Sequence, residues 1–125
     1  MSSGNGAIIL CVDDEANILN TLRRQLRMEG HTVHTAADAL AGLQILQQEP
    51  VDVIISDYRM SGMNGLQFLE QALRVRPNAR AIMLSGFADV PGVMDLLRQH
   101  SMIQFLQKPW KTEELLRAIT RSEPI

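Results

Sequence analysis

Residues 7–15 read AIILCVDDE, a strand-length apolar run that ends in three consecutive acidic residues. Runs of the same kind occupy residues 51–56, 81–85 and 102–106. They are mostly continuous in apolar character, which is typical of strands buried on both faces of a parallel sheet. Residues 32–36 alternate in polarity instead and predict an edge strand.

Apolar residues at helical spacing follow each of these strands. Each set forms one stripe along a helix and predicts that this helix packs against the sheet. The five stripes are Leu19, Leu22 and Leu26; Leu40, Leu43, Ile45 and Leu46; Leu66, Leu69 and Leu73; Val93, Leu96 and Leu97; and Leu115, Leu116 and Ile119. Five strands alternating with five helices predict an α/β fold, a doubly wound five-stranded parallel sheet with helices on both faces.

Length and composition limit the class of protein. A chain of 125 residues, 46% hydrophobic and 21% charged, suits one folded domain. A net charge of −2 excludes a globally basic protein that coats nucleic acid. The single cysteine, Cys11, lies in the first apolar run, where a buried thiol is expected. Because we find no membrane-length apolar segment and no signal-peptide pattern, we expect a cytoplasmic domain.

The carboxyl ends of the predicted strands carry the polar residues of interest. Asp13 and Asp14 follow the first run, Asp57 the third, Ser85 the fourth and Lys108 the last. In an open parallel sheet these ends share one edge, where ligands bind. Three converging carboxylates repel one another unless a hard cation such as Mg²⁺ lies between them. A phosphoryl group that bridges this cation and the ammonium of Lys108 fits the whole set.

Four segments make the chain resemble the receiver (REC) domain of two-component response regulators, such as the chemotaxis regulators. They are Val12–Glu15, Asp57–Met60 continued by Met63–Gly65, Leu84–Gly86, and Phe105–Pro109. Together and in this order they form a specific pattern, and the resemblance runs from about Ala7 to Ser122. It implies the flavodoxin-like (βα)5 fold with strand order 2-1-3-4-5. Chemotaxis receivers are an example of this strand order.

The same resemblance implies how the chain is divided and what it contacts. Residues 1–6 are expected to form a flexible lead, residues 7–122 the receiver, and residues 123–125 a tail or the start of a linker to an output domain. The expected output face comprises the fourth helix, the fifth strand and the fifth helix. Through it the domain would contact an effector, its output domain or, when phosphorylated, a second copy. Direct contact with nucleic acid or membrane is not expected.

Individual roles at the site also follow from the resemblance. Asp57 would accept a phosphoryl group from a sensor histidine kinase or a phosphotransfer protein. Asp13, Asp14, Asp57 and the backbone carbonyl of Arg59 would hold Mg²⁺, Asp14 directly and Asp13 through water. Lys108 would offset charge on the phosphoryl oxygens during transfer.

Three further residues take roles from the resemblance. The Ser85 hydroxyl would hydrogen-bond the transferred group, and Phe105 occupies the position of the family's switch aromatic. The bond before Pro109 is often cis in this family. The chain departs from the family at Ser61, where proline is common, and at Ser85, where threonine is frequent.

Alternative classes fit the residues less well. A phosphatase of the haloacid-dehalogenase type also uses an aspartate and Mg²⁺, but its second aspartate would fall at Glu15. A pseudo-receiver that acts only as an interaction module would normally lack Asp57, Lys108 or the acidic pair. A flavin-binding domain would need a hydroxyl-rich loop after the first strand. We therefore expect a signalling domain that catalyses only its own phosphotransfer and slow dephosphorylation.

Overall fold

The computed structural model describes residues 6–86 and 102–120, with Gly92, Asp95 and Arg98 between them. Its strands and helices alternate along these residues. They are β1 (Ile8–Val12), α1 (Ala16–Met28), β2 (Thr32–Ala36), α2 (Ala39–Gln48), β3 (Val53–Asp57), α3 (Gly65–Val75), β4 (Arg80–Ser85), β5 (Ile103–Gln107) and a C-terminal helix (Thr112–Thr120). The stripe of Val93, Leu96 and Leu97, which predicts a further helix, lies outside the described residues.

All five strands pair in parallel, in the order β2-β1-β3-β4-β5. The predicted fold class, strand order and edge position of β2 are therefore confirmed. The register places Asp57 opposite Leu84, and Ser85 opposite Gln107. The carboxyl ends of β3, β4 and β5 are thus level with one another, which brings the residues that follow them to one edge.

The sheet separates two hydrophobic clusters because successive residues of a strand point to opposite faces. Leu10 and Ile54 belong to the first cluster, which includes buried residues of α2 and α3. Ile9 and Ile55 belong to the second, with residues of α1 and the C-terminal helix. Cys11 is part of this second cluster, and burial raises the pKa of its thiol to about 12. The thiol therefore stays protonated and unreactive at neutral pH.

Helix α2 packs on a different stripe from the one that its leucines predict. Leu40 is 68% exposed, whereas Ala39, Gly42 and Leu46 are buried. A Cβ atom at position 42 would lie 3.0 Å from side-chain atoms of Phe68, so the helix approaches its neighbours through small residues. This close approach turns Leu40 outward, and its assignment to the buried stripe is wrong.

Side-chain caps fix where two helices begin. Asp38 caps α2, since its Oδ1 accepts the Ala41 N–H at 2.8 Å. Asn64 and Gln67 form a reciprocal capping box at the start of α3. Each bond satisfies a backbone donor that the first helical turn leaves unpaired. Among the described residues, no helix combines the length and apolar character required to span a bilayer.

Candidate functional site

Three carboxylates meet at the carboxyl edge of the sheet. One oxygen from each of Asp13, Asp14 and Asp57 lies within 4.8 Å of the other two. Asp57 is the last residue of β3, and Asp13 directly follows β1. Asp13 and Asp57 are 1% and 7% exposed, whereas Asp14 faces solvent. The cluster is therefore buried on one side and open to solvent on the other.

Lys108 supplies the positive charge of the site. Its Nζ lies 2.8 Å from Asp57 Oδ1, 3.3 Å from Asp13 Oδ2 and 4.0 Å from Glu15 Oε1. The backbone N–H of Lys108 donates to the Ser85 carbonyl at 2.8 Å, which fixes the chain where it leaves β5. The structure thus brings together the acidic pair, Asp57 and Lys108, as the topology of the strand ends predicts.

Burial and charge shift the pKa values of the central pair. Burial raises the pKa of Asp57, and the hydrogen bond from Lys108 only partly opposes this effect. The charges of Asp13 and Asp14 raise this pKa further. For Lys108, burial by itself lowers the pKa, but the hydrogen bond and charge of Asp57 outweigh it and the net shift is upward. Lys108 is therefore charged at neutral pH, while the negative charge of Asp57 is held at a cost in free energy.

The remaining residues that the resemblance singles out lie in β4, in β5 and in the loops that follow β3 and β5. Ser85 ends β4, is fully buried, and donates from Oγ to the Gly86 carbonyl at 3.3 Å. Phe105 lies within β5, pairs with Met83 in the register and packs against the first hydrophobic cluster. Arg59 is exposed in the loop after β3. The peptide bond between Lys108 and Pro109 is cis.

Two glycines shape the loop between Asp57 and α3. Gly62 has φ +82°, a conformation that side-chain-bearing residues seldom adopt. Gly65 lies against the backbone of the preceding strand end: a Cβ atom there would overlap the Asp57 carbonyl oxygen. The Gly65 N–H also donates to the Tyr58 carbonyl at 2.8 Å. The first residue of α3 therefore supports the backbone of Asp57 directly.

Sequence reasoning gave no role to two features near the site. Gly65 belongs to the segment Met63–Gly65 that carries the resemblance, but its contact with Asp57 depends on how closely α3 approaches β3. The other feature is a hydrogen bond from the Trp110 indole to the Gln25 side chain, which joins residues 85 positions apart. No local pattern marks such a pair in advance.

One protein-family model matches most of the chain. The model of the response regulator receiver domain matches residues 9–120, and the chain belongs to this family. It is a phosphorylation-activated signalling receiver, the class of domain found in two-component response regulators. A haloacid-dehalogenase-type phosphatase and an unphosphorylated pseudo-receiver are not favoured.

Individual proteins show how far the similarity extends. The chain is 35% identical over 113 residues to the transcriptional regulatory protein GlrR of Escherichia coli (strain K12), covering 90% of this chain and 25% of GlrR. It thus spans about a quarter of the length of the curated relatives it matches.

Two solved structures of receivers match over most of their length. Chemotaxis response regulator CheY4 of Vibrio cholerae has a TM-score of 0.83 and 30% identity, covering 93% of this chain and 98% of that one. The signal receiver domain of an HD domain-containing protein from Pseudomonas fluorescens Pf-5 has a TM-score of 0.82 and 32% identity, covering 91% of each chain.

Proposed function

We propose that Asp57 is the phosphoacceptor of this receiver and takes its phosphoryl group from a histidine kinase or a phosphotransfer protein. The observation that carries the proposal is the placement of Asp57, buried at the end of β3 within 2.8 Å of Lys108 and beside two further carboxylates. In the transfer, an Asp57 oxygen forms a bond to phosphorus as the phosphorus–nitrogen bond of phosphohistidine breaks. The imidazole leaves with the bonding electrons, and an acyl phosphate remains on Asp57.

Lys108 and Ser85 are suited to receive the transferred group. The Lys108 ammonium, paired with Asp57 before transfer, can move to the new phosphoryl oxygens and offset their charge. The Ser85 hydroxyl lies 3.3 Å from its acceptor, longer than a strong hydroxyl hydrogen bond. It is therefore available to donate to the phosphoryl group instead. We assign Phe105, which is partly buried in β5, as the aromatic residue that responds to this rearrangement.

The donor set fits Mg²⁺. Carboxylate oxygens suit this hard cation, and a cation among them would relieve the free-energy cost that raises the pKa of Asp57. Both oxygens of Asp13 already accept hydrogen bonds, from the Glu15 N–H and from Lys108. We assign Asp13 as a residue that acts on the cation through water, and Asp14, Asp57 and the Arg59 carbonyl as the direct ligands. When bound, Mg²⁺ supplies positive charge to the phosphoryl oxygens.

Mg²⁺ should stabilise the folded domain. A ligand that binds only the native state, at about 100 times its dissociation constant, adds about 2.7 kcal/mol to the free energy of unfolding. We expect the melting temperature to rise with MgCl₂ at constant ionic strength, and the rise to be much smaller in Asp14→Asn. A melting temperature that does not respond to Mg²⁺ in the parent protein would count against the site.

Phosphorylation should change the face formed by β5 and the C-terminal helix; the fourth helix that is also expected on this output face lies outside the described residues. A groove of about 640 Å³ lies on this face, and both polar and apolar side chains line it. Its described lining residues are Ile103, Gln104, Phe105, Leu106, Glu114, Arg117 and Ala118. We assign it as the surface that binds an effector, an output domain or a second copy of the phosphorylated chain.

Hydrogen exchange can test this assignment. We expect beryllofluoride with Mg²⁺, which mimics the phosphoryl group, to change exchange in residues 103–120. The parent protein with Mg²⁺ alone and Asp57→Asn with beryllofluoride serve as controls. Changes confined to α1 would contradict the assignment.

We infer that residues 7–122 form the functional unit, that residues 1–6 are a lead, and that residues 123–125 continue toward an output domain. The similarity to a transcriptional regulatory protein four times as long supports an attached output domain. We place the domain in the cytoplasm, where a reduced Cys11 and a phosphoryl-donating kinase domain are both expected. The domain's own chemistry is limited to its phosphotransfer and slow dephosphorylation. We expect no direct binding of nucleic acid by this domain, because its net charge is −2.

A further inference from the structure

The chain's single tryptophan connects the loop that carries Lys108 to α1. The Trp110 indole N–H donates to Gln25 Oε1 at 3.0 Å, and the bond is partly buried. The ring packs against the second hydrophobic cluster, which contains Leu22 and Leu26 of the same helix. Trp110 therefore combines an apolar contact with one directional bond.

This bond complements the backbone contact on the other side of Lys108. Lys108 directly follows β5, and its N–H donates to the carbonyl of Ser85 at the end of β4; the C-terminal helix begins only at Thr112. Trp110 lies between these two points. The backbone of Lys108 is thus fixed to β4 on its amino-terminal side and to α1 on its carboxyl-terminal side.

We propose that the bond between Trp110 and Gln25 positions Lys108 for phosphotransfer. The inference rests on the proposed roles of Asp57 and Lys108. During transfer the Lys108 ammonium must leave the Asp57 carboxylate and follow the phosphoryl oxygens, so its long side chain moves. Its backbone must stay in place for the ammonium to arrive within hydrogen-bond distance. Trp110 and Gln25 contact none of the reacting atoms; they are positioning residues.

Three substitutions separate the bond from the packing of the ring. Trp110→Phe keeps an aromatic ring but removes the donor, and Gln25→Leu removes the acceptor. Gln25→Glu keeps an oxygen at the same place. We expect each of the first two variants to slow phosphorylation by acetyl phosphate about three- to tenfold, the range set by one hydrogen bond. Gln25→Glu should retain the parental rate.

Two further readouts distinguish positioning from a purely structural role. The Mg²⁺ concentration that gives half the maximal rate should not change, because the carboxylates are untouched. The double variant Trp110→Phe with Gln25→Leu should be no slower than either single variant, since both remove the same bond.

Arg76→Met provides a matched control for stability. Arg76 follows α3, at the end of that helix remote from Asp57. Its side chain donates to the carbonyls of Leu46 and Glu49. This variant should lower the melting temperature and leave the phosphorylation rate unchanged. Parental rates in both single variants, or losses that multiply in the double variant, would overturn the positioning role. A parent protein that acquires no phosphate would instead overturn the proposed function, and this inference with it.

Discussion

Replacement of Asp57 by asparagine is expected to abolish phosphorylation. The amide lacks the anionic oxygen that attacks phosphorus, although it nearly keeps the shape of the carboxylate. Incubation with acetyl phosphate and Mg²⁺, followed by intact-protein mass spectrometry, should show one phosphoryl adduct on the parent and none on Asp57→Asn.

Asp52→Asn is the matched control for this experiment. Asp52 immediately precedes β3, at the opposite end of the strand from Asp57, and its Oδ2 accepts the Ile8 N–H at 2.9 Å. The control should be phosphorylated like the parent. An adduct that persists in Asp57→Asn would refute the assignment of the phosphoacceptor.

The same Asp57→Asn variant should be more stable than the parent at neutral pH when Mg²⁺ is absent. Burial raises the pKa of Asp57 in the folded state, so folding favours the protonated carboxyl. The stability that this protonation provides is fully present below the pKa of the unfolded chain and is lost as the pH rises through the folded-state pKa. At pH 7 the parent therefore holds an unfavourable charge that the asparagine variant lacks.

Urea denaturation at several pH values measures this difference. The advantage of Asp57→Asn should be largest at neutral pH and should shrink as the pH falls toward the usual range of carboxyl pKa values. If the variant were less stable than the parent at pH 7, the ion pair with Lys108 would outweigh the burial of the charge.

Replacement of Gly65 by alanine is expected to destabilise the fold strongly. Alanine favours a helix by about 1 kcal/mol over glycine, so the substitution would stabilise an unobstructed helix. Here the added Cβ overlaps the Asp57 carbonyl oxygen, which belongs to the backbone and cannot rotate away. Overpacking of this kind costs about 1–3 kcal/mol, and after the helix gain is subtracted we expect a net loss of up to about 2 kcal/mol.

Gly92→Ala is the control for Gly65→Ala. Gly92 is helical and exposed, and a Cβ atom there would meet nothing within 4 Å. Its substitution should leave stability unchanged or raise it slightly in urea denaturation. Equal stability of Gly65→Ala and the parent would show that α3 does not pack as closely on β3 as the structure indicates.

Much of the fold could be predicted because its strands are continuous apolar segments. The run at 51–56 predicts β3, which the structure places at Val53–Asp57, so Asp57 itself belongs to the strand. The apolar pattern wrongly predicts that Leu40 is buried, because the position of α2 depends on the small size of Gly42. A pattern of apolar residues records which side chains prefer burial, but not how closely two elements approach.

The convergence of the site could also be predicted, because it follows from the topology of a parallel sheet. Its detailed contacts could not. Lys108 contacts both Asp13 and Asp57, and these contacts depend on the conformation of its long side chain. The bond between Gln25 and Trp110 depends on the docking of two elements far apart in the chain. Such contacts are set by tertiary packing and leave no local signal.

The hydrogen-bonded indole also gives the domain an intrinsic fluorescent probe. Trp110 is the only tryptophan, so fluorescence excited selectively in its absorption band comes from one position two residues beyond Lys108. The emission of an indole depends on its hydrogen bonding and on its exposure to water. Events at the site that alter the hydrogen bond or the water exposure of this indole can therefore be followed in real time, without a label, by its fluorescence.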